Sequence, residues 1–435
     1  MNYAADLHIH SPFSRATSPQ SNLSGLVSWA RIKGINVLGT GDFSHPGWFA
    51  ALKSELVPAE PGFFSLRDQI PAPLSCAAAP VSTTPVRFLL SAEVSCIYKR
   101  HGKVRKVHNL LYVPDFISAE RINLRLSKIG NIHSDGRPIL GLDSRDLLEI
   151  VLEEAPEGFL VPAHIWTPWF SLFGSRSGFD SIEECFGDLS DHIFALETGL
   201  SSDPEMNRLI SALDRFALIS NSDCHSPSKI GREANLFSAG FDYFSLREAL
   251  RSNNRATFRG TVEFFPEHGK YHADGHRACK VSLHPRETRD LNALCPVCNK
   301  SLTVGVLYRV MEMADREKPL FGHDAPDSFS LIPLAEILSE ILGAGPATKK
   351  VTQQYERIIN HFGTELSLLM EADSDEIEAC LPMLGEAVAR MRNGNVTRRP
   401  GSDGEYGVIT LFSPQELETS NLRKRLKNYE KGEFH

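Results

Sequence analysis

A β/α barrel, then a short cysteine- and histidine-bearing module, then a mostly helical C-terminal region is the fold this sequence predicts. Three observations predict it. Short apolar runs alternate with helical patterns as far as about Gly260. Polar residues of metal-binding type stand at or just beyond the C-terminal ends of those runs, where β/α barrels carry their chemistry. Past Gly260 the texture changes: 263–300 is short and polar with Cys and His, and 331–393 shows helical apolar steps at Leu334, Ile337, Leu338 and Ile341, then at Ile377, Cys380, Leu384 and Ala387. The predicted units are 1–260, 261–310 and 311–435.

Tyr3–His10 is the first strand, ending in Asp6-Leu7-His8-Ile9-His10. Strand side chains alternate, so His8 and His10 share one face while Leu7 and Ile9 point into a core. Asn22–Lys33 has helical spacing (Leu23, Leu26, Val27, Ala30), and Gly34 stops it. Ile35–Thr40 is the next strand, ending at Gly41-Asp42. The rhythm recurs at Phe88–Ser91 before Glu93, Phe159–Ala163 before His164, Ile193–Leu196 before Glu197 and Phe216–Ser220 before Asp223. His108 is the exception, since it lies inside its own strand, Val107–Val113. All these strands are expected to run parallel. Pro71–Pro85, poor in charge and rich in Pro, Ala and Ser, reads as a surface loop.

The chain has 435 residues, 42% hydrophobic and 23% charged, the balance of a soluble globular protein with more than one core. No basic-then-apolar segment precedes Asp6 and no run reaches the length of a membrane span, so a cytoplasmic protein without a membrane partner is expected. Eight cysteines are thinly spread, with Cys279, Cys295 and Cys298 close together, as in a reduced compartment with a metal site. The net charge of −8 argues against a protein that coats nucleic acid nonspecifically. It does not exclude nucleic acid, because bound divalent ions add positive charge where carboxylates are counted negative.

In order, the strand-end residues of ligand type are His8, His10, Asp42, His45, Glu93, His108, His164, Asp223 and His225. A single histidine at a strand end is usually a hydrogen-bonded structural residue, and His101, His133, His192, His268 and His361 are read so. Recurrence at corresponding strand ends sets the nine apart. They supply donors for two or three divalent ions, with Glu93 able to bridge through its two oxygens. Two ions about 3.5–4 Å apart suit phosphoryl transfer. Nitrogen-rich ligands and hard phosphate oxygens favour zinc, manganese or iron over magnesium or calcium.

His276-x-x-Cys279 and Cys295-Pro-Val-Cys298 form two knuckles of equal spacing, as a tetrahedral structural zinc needs. His284 and His272 are alternatives to His276 as the fourth ligand. A closed site of this kind serves folding or substrate contact rather than catalysis.

The nine-residue set resembles the PHP (polymerase and histidinol phosphatase) family, whose pattern runs HxH, an Asp-His element, Glu, two separated His, and DxH. The resemblance covers about the first 250 residues. It implies a distorted seven-stranded β/α barrel in which His8, His10, Glu93 and Asp223 share one ion and carry the catalysis, while Glu93, His108 and His164 hold a second ion. His225 and the Asp42/His45 element hold a third. Two departures stand out: Phe43 and Ser44 separate Asp42 from His45, leaving either as the ligand, and Ser14-Arg15-Ala16-Thr17 stands where many members place a further ligand. Longer stretches are similar to the endonuclease Q family: DLHIHSPFSRATS, TGDFSHPGW, PAHIWTPWFSLFGSRSGF, NSDCHSPSKIGREAN, GTVEFFPEHGKYHADGHRAC and CPVCNKSLTVGVLYRVMEMADR. This resemblance implies a metal-dependent DNA repair endonuclease (Zn, Mn, Fe or Mg) that cuts 5′ to uracil, hypoxanthine, xanthine or an abasic site. Damaged DNA is the implied partner; a sliding clamp or other repair proteins are candidate protein partners.

The segment after His164 carries Trp166, Trp169, Phe170 and Phe173, with Arg176 nearby. Aromatics beside a phosphodiesterase centre can stack on an extruded base; equally, they read as a packed hydrophobic loop. Lys229 and Arg232 follow His225 closely and read either as phosphate clamps or as structural ion pairs. The run Arg423–Lys427 reads as a charged helix face or a DNA contact. The alternative function is a small-molecule phosphatase of the histidinol-phosphate kind, against which the zinc module and long C-terminal region speak. A noncatalytic PHP-derived accessory domain is a third reading, disfavoured by the full ligand set. No G-x-x-x-x-G-K-[ST] loop supports an ATP-driven motor.

Overall fold

The computed structural model describes residues 1–68 and 85–418. The run Arg423–Lys427 and, but for Pro85, the loop expected at Pro71–Pro85 lie outside the described residues.

β1 (Tyr3–Asp6) and β2 (Val37–Gly39) pair in parallel across α1 (Leu23–Lys33). Asn22 caps α1 by accepting from the Gly25 N–H, and Gly34 ends it with φ 87°. There follow α2 (Pro46–Glu55), β3 (Leu56–Pro58), β4 (Phe64–Leu66) and β5 (Arg87–Arg100), with β5 parallel to β2.

At this point the uniformly parallel expectation fails. β5 and β6 (Lys103–Val113) form one long antiparallel hairpin, registered from Leu90↔Val113 to Arg100↔Lys103. His101 and Gly102 at its tip both have positive φ, 52° and 75°, the backbone a tight two-residue hairpin turn requires. The apolar runs around Glu93 and His108 are therefore one ribbon, with no helix between them. That ribbon explains His108: β6 runs back through the centre, so a mid-strand residue reaches the level of the strand ends. After α3 (Phe116–Ile129), β7 (Ile139–Leu140) and α4 (Ser144–Glu154), β8 (Phe159–Pro162) lies antiparallel to β6.

Next come α5 (Ile182–Phe186), β9 (Ala195–Glu197), α6 (Pro204–Asn207) and β10 (Ala217–Ile219), with β9 and β10 parallel. β11 (Ala234–Phe237), antiparallel to β1, α7 (Tyr243–Ser252) and β12 (Phe258–Glu263) complete this part. Leu7, Val37, Leu89, Leu110, Val161, Ala195 and Ala217, in or just after β1, β2, β5, β6, β8, β9 and β10, meet in one buried apolar cluster. Their neighbours Leu38, Phe88, Leu111, Leu160, Leu196 and Leu218 belong to a second cluster shared with the helices. That alternation is the strand period of two, buried on both faces.

The C-terminal part holds β13 (Asp274–His276), β14 (Val281–Leu283), α8 (Pro285–Asp290), α9 (Val306–Met313), β15 (Asp327–Ser330), then α10 (Leu334–Leu342), α11 (Lys349–Phe362), α12 (Glu365–Met370), α13 (Ser374–Cys380) and α14 (Leu384–Arg392). The unit boundary expected at 260/261 falls inside β12, and β15 pairs in parallel with β12, so the main sheet continues into the third unit. The helices dock on α1 through a buried ion pair of Lys33 with Glu365, whose carboxylate also receives the Tyr355 hydroxyl and the Leu334 N–H.

Glu233 and Glu263 are fully buried just before β11 and at the end of β12. Burial pushes Glu263 up to about 8, and burial with the Glu263 charge raises Glu233. A raised carboxyl stabilises the fold in its protonated form. Its contribution is complete below the ordinary value of 4.5 and is lost as pH rises through about 8. Glu263→Gln should therefore flatten the fall of melting temperature over that window. Parallel melting curves for the two proteins would count against the assignment.

Candidate metal centre

Glu93 is the hub. Its Oε2 lies 3.3 Å from His8 Nε2 and 3.2 Å from His10 Nε2, and Asp223 Oδ1 lies 3.0 Å from the same His10 nitrogen. Its Oε1 lies 2.6 Å from His108 Nδ1 and 3.2 Å from His164 Nε2. One carboxylate thus faces two donor groups, His8/His10/Asp223 on one oxygen and His108/His164 on the other. In each group, Glu93 included, the ligand atoms lie within 4.8 Å of one another.

The local backbone is shaped for this. His164 and Asp223 adopt positive φ, 30° and 46°, turning strand ends inward at some conformational cost. Gly199 permits the turn at His164, since a Cβ there would sit 2.5 Å from the His164 Cβ. The Asp223 loop is fixed from below. Asp6 accepts the Ser222 and Gly231 N–H groups at 3.1 and 2.9 Å, and Arg232 donates twice to the Ser222 carbonyl at 2.9 and 2.7 Å.

The donor set fits divalent ions. His8 Nδ1 donates to Glu197 Oε1 at 3.0 Å, which turns Nε2 inward, and that buried nitrogen has no hydrogen-bond partner. His10 Nδ1 faces Asp42 Oδ1 at 3.1 Å in the same manner. A carboxylate behind the far ring nitrogen is how metal-binding histidines are oriented and made more basic. Burial works against charge on His8, but Glu197, Asp223 and Glu93 overcome it and hold its pKa well above the usual imidazole value. His10 behaves likewise, whereas burial pushes His108 down to about 4. Burial also opposes charge on Glu93, yet Arg137, His108 and His8 hold its carboxyl well below the usual range. The pocket accordingly stabilises positive charge beside Asp223.

The other expected ligands have different partners. Asp42 Oδ2 accepts the Ser11 N–H (2.7 Å) and the hydroxyls of Ser11 (2.6 Å) and Ser14 (2.9 Å). His45 caps α2 by accepting the Gly47 N–H (3.2 Å) and reaches the His133 carbonyl with Nε2 (3.0 Å). His225 packs 4.4 Å from the His10 ring and is 34% exposed. Among the described residues these three form no third donor group.

Sequence reasoning noted Glu197 at a strand end but left it out of the ligand set, and it passed over Arg137. The strand-end position of Glu197, shared with the candidate ligands, was its signal. Arg137, in a polar turn after α3, carried none. Glu197→Gln should weaken metal binding about 10–100-fold, the usual cost of losing a carboxylate behind a ligand histidine. Titration of the metal-free protein with zinc or manganese measures it, and unchanged affinity would contradict the role.

The expected base-stacking residues separate into two kinds. Trp166 is packed on Phe173 at 4.9 Å with its Nε1 donating to Asn207 (2.8 Å), so it belongs to the core. Trp169 is 40% exposed, edge-on to Tyr271. Phe170 covers His108 at 4.9 Å, and Arg176 is exposed. Lys229 pairs with Glu336 at 3.6 Å.

A separate group joins His276, Cys279, Cys295 and Cys298, again within 4.8 Å, with Cys298 Sγ 3.4 Å from His276 Nδ1. His276 ends β13 and Cys279 closes the following turn. Burial opposes ionisation of Cys295, but the N–H groups of Cys298 and Val297 stabilise its thiolate, pulling it down to about 6. Of the alternative ligands, His284 caps α8 and His272 is buried outside the group.

The fold matches the crystal structure of the lesion-specific endonuclease from Pyrococcus furiosus with a TM-score of 0.82, at 30% identity and over 99% of both chains. The chain belongs to the endonuclease Q family. A structure of endonuclease Q with a 27-mer duplex bearing an abasic lesion at the active site matches equally well, with a TM-score of 0.82 at 30% identity over 97% of this chain and 98% of that one. Residues 333–395 match the family model of the MJ0043 C-terminal domain. An uncharacterized protein of Methanocaldococcus jannaschii is 35% identical over 263 residues, which is 58% of this chain but only 32% of that protein's length. One from Bacillus subtilis is 29% identical over 314 residues, 70% of this chain and 73% of its own. No helix among the described residues is long and apolar enough to cross a membrane.

Proposed function

We propose that this protein is a metal-dependent DNA repair endonuclease that hydrolyses the phosphodiester 5′ to a damaged nucleotide, with deaminated bases (uracil, hypoxanthine, xanthine) and abasic sites as its lesions. The observation that carries this reading is Glu93 facing two donor groups at once. Two divalent ions (zinc, manganese, iron or magnesium), when bound, would supply an activated water and offset charge on the phosphate. His8, His10, Glu93 and Asp223 would hold one ion, and Glu93, His108 and His164 the other. Glu197 and Asp42 fix the two N-terminal imidazoles so that their Nε2 atoms face the centre. We read β1, β2, β5, β6, β8, β9 and β10 as the ring of a distorted barrel, the segment from the end of β12 to 310 as a structural zinc module and α10 to α14 as the helical unit, in a cytoplasmic enzyme.

We assign Trp169, Phe170 and Arg176 to meeting an extruded nucleotide; the exposure of Trp169 and Arg176 and the contact of Phe170 with His108 support that reading. Deaminated bases share a carbonyl where an amino group stood, so a pocket of N–H donors would accept them and reject the normal base. The relatives solved as a lesion-specific endonuclease and as a complex with abasic DNA support the same substrate class. End-labelled duplexes with one uracil, hypoxanthine or abasic site, incubated with manganese or magnesium, should be nicked 5′ to the lesion. No nick at any of the three, with hydrolysis of a phosphate monoester instead, would replace this reading with a small-molecule phosphatase.

A further inference from the structure

The turn after α3 is strapped down residue by residue. The Ser44 hydroxyl donates to the Gly136 carbonyl (3.2 Å), His45 reaches the His133 carbonyl, and the Gly136 N–H donates to the Phe13 carbonyl (3.0 Å). The Asp135 carboxylate accepts the N–H groups of Arg15 (3.4 Å) and Arg137 (3.1 Å). At Gly136 there is no room for a side chain, since a Cβ would lie 2.4 Å from both Asp42 Oδ2 and Ser14 Oγ. The Asp42–His45 turn and the 11–15 loop, where a third ion was expected, thus set the position of the neighbouring Arg137.

Arg137 Nη1 lies 3.1 Å from Glu93 Oε2, and its side chain is 30% exposed. No other lysine or arginine among the described residues pairs with a carboxylate of the two donor groups. Glu93 already faces four histidines besides Arg137, so satisfying its two oxygens does not by itself require a guanidinium. A guanidinium has five N–H donors in a planar fork suited to phosphate oxygens, and Nη1 alone is directed at Glu93. We propose that Arg137 binds a non-bridging oxygen of the phosphate that is cut, holding it against the Glu93 centre. This rests on the endonuclease reading and adds the residue that grips the scissile group.

The test has two arms. In nicking assays, Arg137→Ala should lower kcat by about 10²-fold, the scale of losing one donor to a developing oxyanion. Barrel metal content should be unchanged, and Arg137→Lys should recover part of the loss, because charge returns without the fork. The second arm needs no cleavage. In the Asp223→Ala protein, replacing a charged oxygen of the phosphate 5′ to the lesion by a methyl group should weaken DNA binding about tenfold, the worth of one charge-assisted hydrogen bond. With Arg137→Ala added, the difference between the two DNAs should shrink to what the retained ion contributes. Equal discrimination with and without Arg137, or loss of barrel metal in Arg137→Ala, would overturn the proposal and reduce Arg137 to a support for Glu93. A wild-type protein that discriminates between the DNAs but nicks neither would instead defeat the endonuclease reading alone.

Discussion

Glu93→Gln should empty both donor groups at once: nicking falls by at least about 10³-fold, the upper scale for removing one principal electrostatic group, and neither barrel ion is retained. The amide keeps the shape of Glu93 but loses the charge and one of two equivalent acceptors. His8 and His10 on one side and His108 and His164 on the other then lose their shared anion. Glu93 is buried, 2% exposed, so bulk solvent does not replace the lost charge. The fold should survive, because the amide occupies the same volume. Nicking of abasic duplex and metal content of the same preparation measure both effects. A variant that nicks at the wild-type rate would show that Glu93 is not the hub.

Asp223→Ala should differ in a diagnostic way. Asp223 touches the His8/His10 side and not His108 or His164. One ion should be lost and one kept, nicking should be abolished, and DNA binding should persist, because no phosphate contact has been removed. Gel shift on lesion-bearing duplex, with metal analysis in parallel, separates these outcomes. Loss of both ions would mean that the groups are not independent, and wild-type nicking would mean that Asp223 is not a ligand.

Much of this centre was legible in the sequence because strand geometry is local. β1 ends at Asp6, short of the expected His10, but the chain beyond it bridges in parallel from Ile9 to Cys224, and both rings still reach Glu93, as alternation predicts. Glu93, His164 and Asp223 announced themselves by standing at the ends of apolar runs. The antiparallel β5–β6 ribbon was not legible, since two apolar runs joined by Arg100-His101-Gly102-Lys103 do not declare their direction, and the turn that decides it depends on left-handed backbone at His101 and Gly102.

The Asp42 and His45 placements show a second limit. Spacing does not give the partners of these two residues, which become visible only in the fold: Ser11 and Ser14 around Asp42, and the Gly47 N–H at His45. The same holds for Trp166 and Arg232, whose partners Asn207 and Ser222 become visible once the chain is folded. Arg137 is the extreme case: its turn is built by contacts with residues around 11–15 and 42–45, so no local pattern marks it.

The most direct test is a metal count against sulfur by plasma mass spectrometry on wild-type and Glu93→Gln protein purified side by side. The proposed two-ion centre predicts two barrel ions beside one ion in the Cys/His group in the wild type, and the latter alone in Glu93→Gln. Barrel ions held by Glu93→Gln at the wild-type ratio would contradict a centre built on one shared carboxylate.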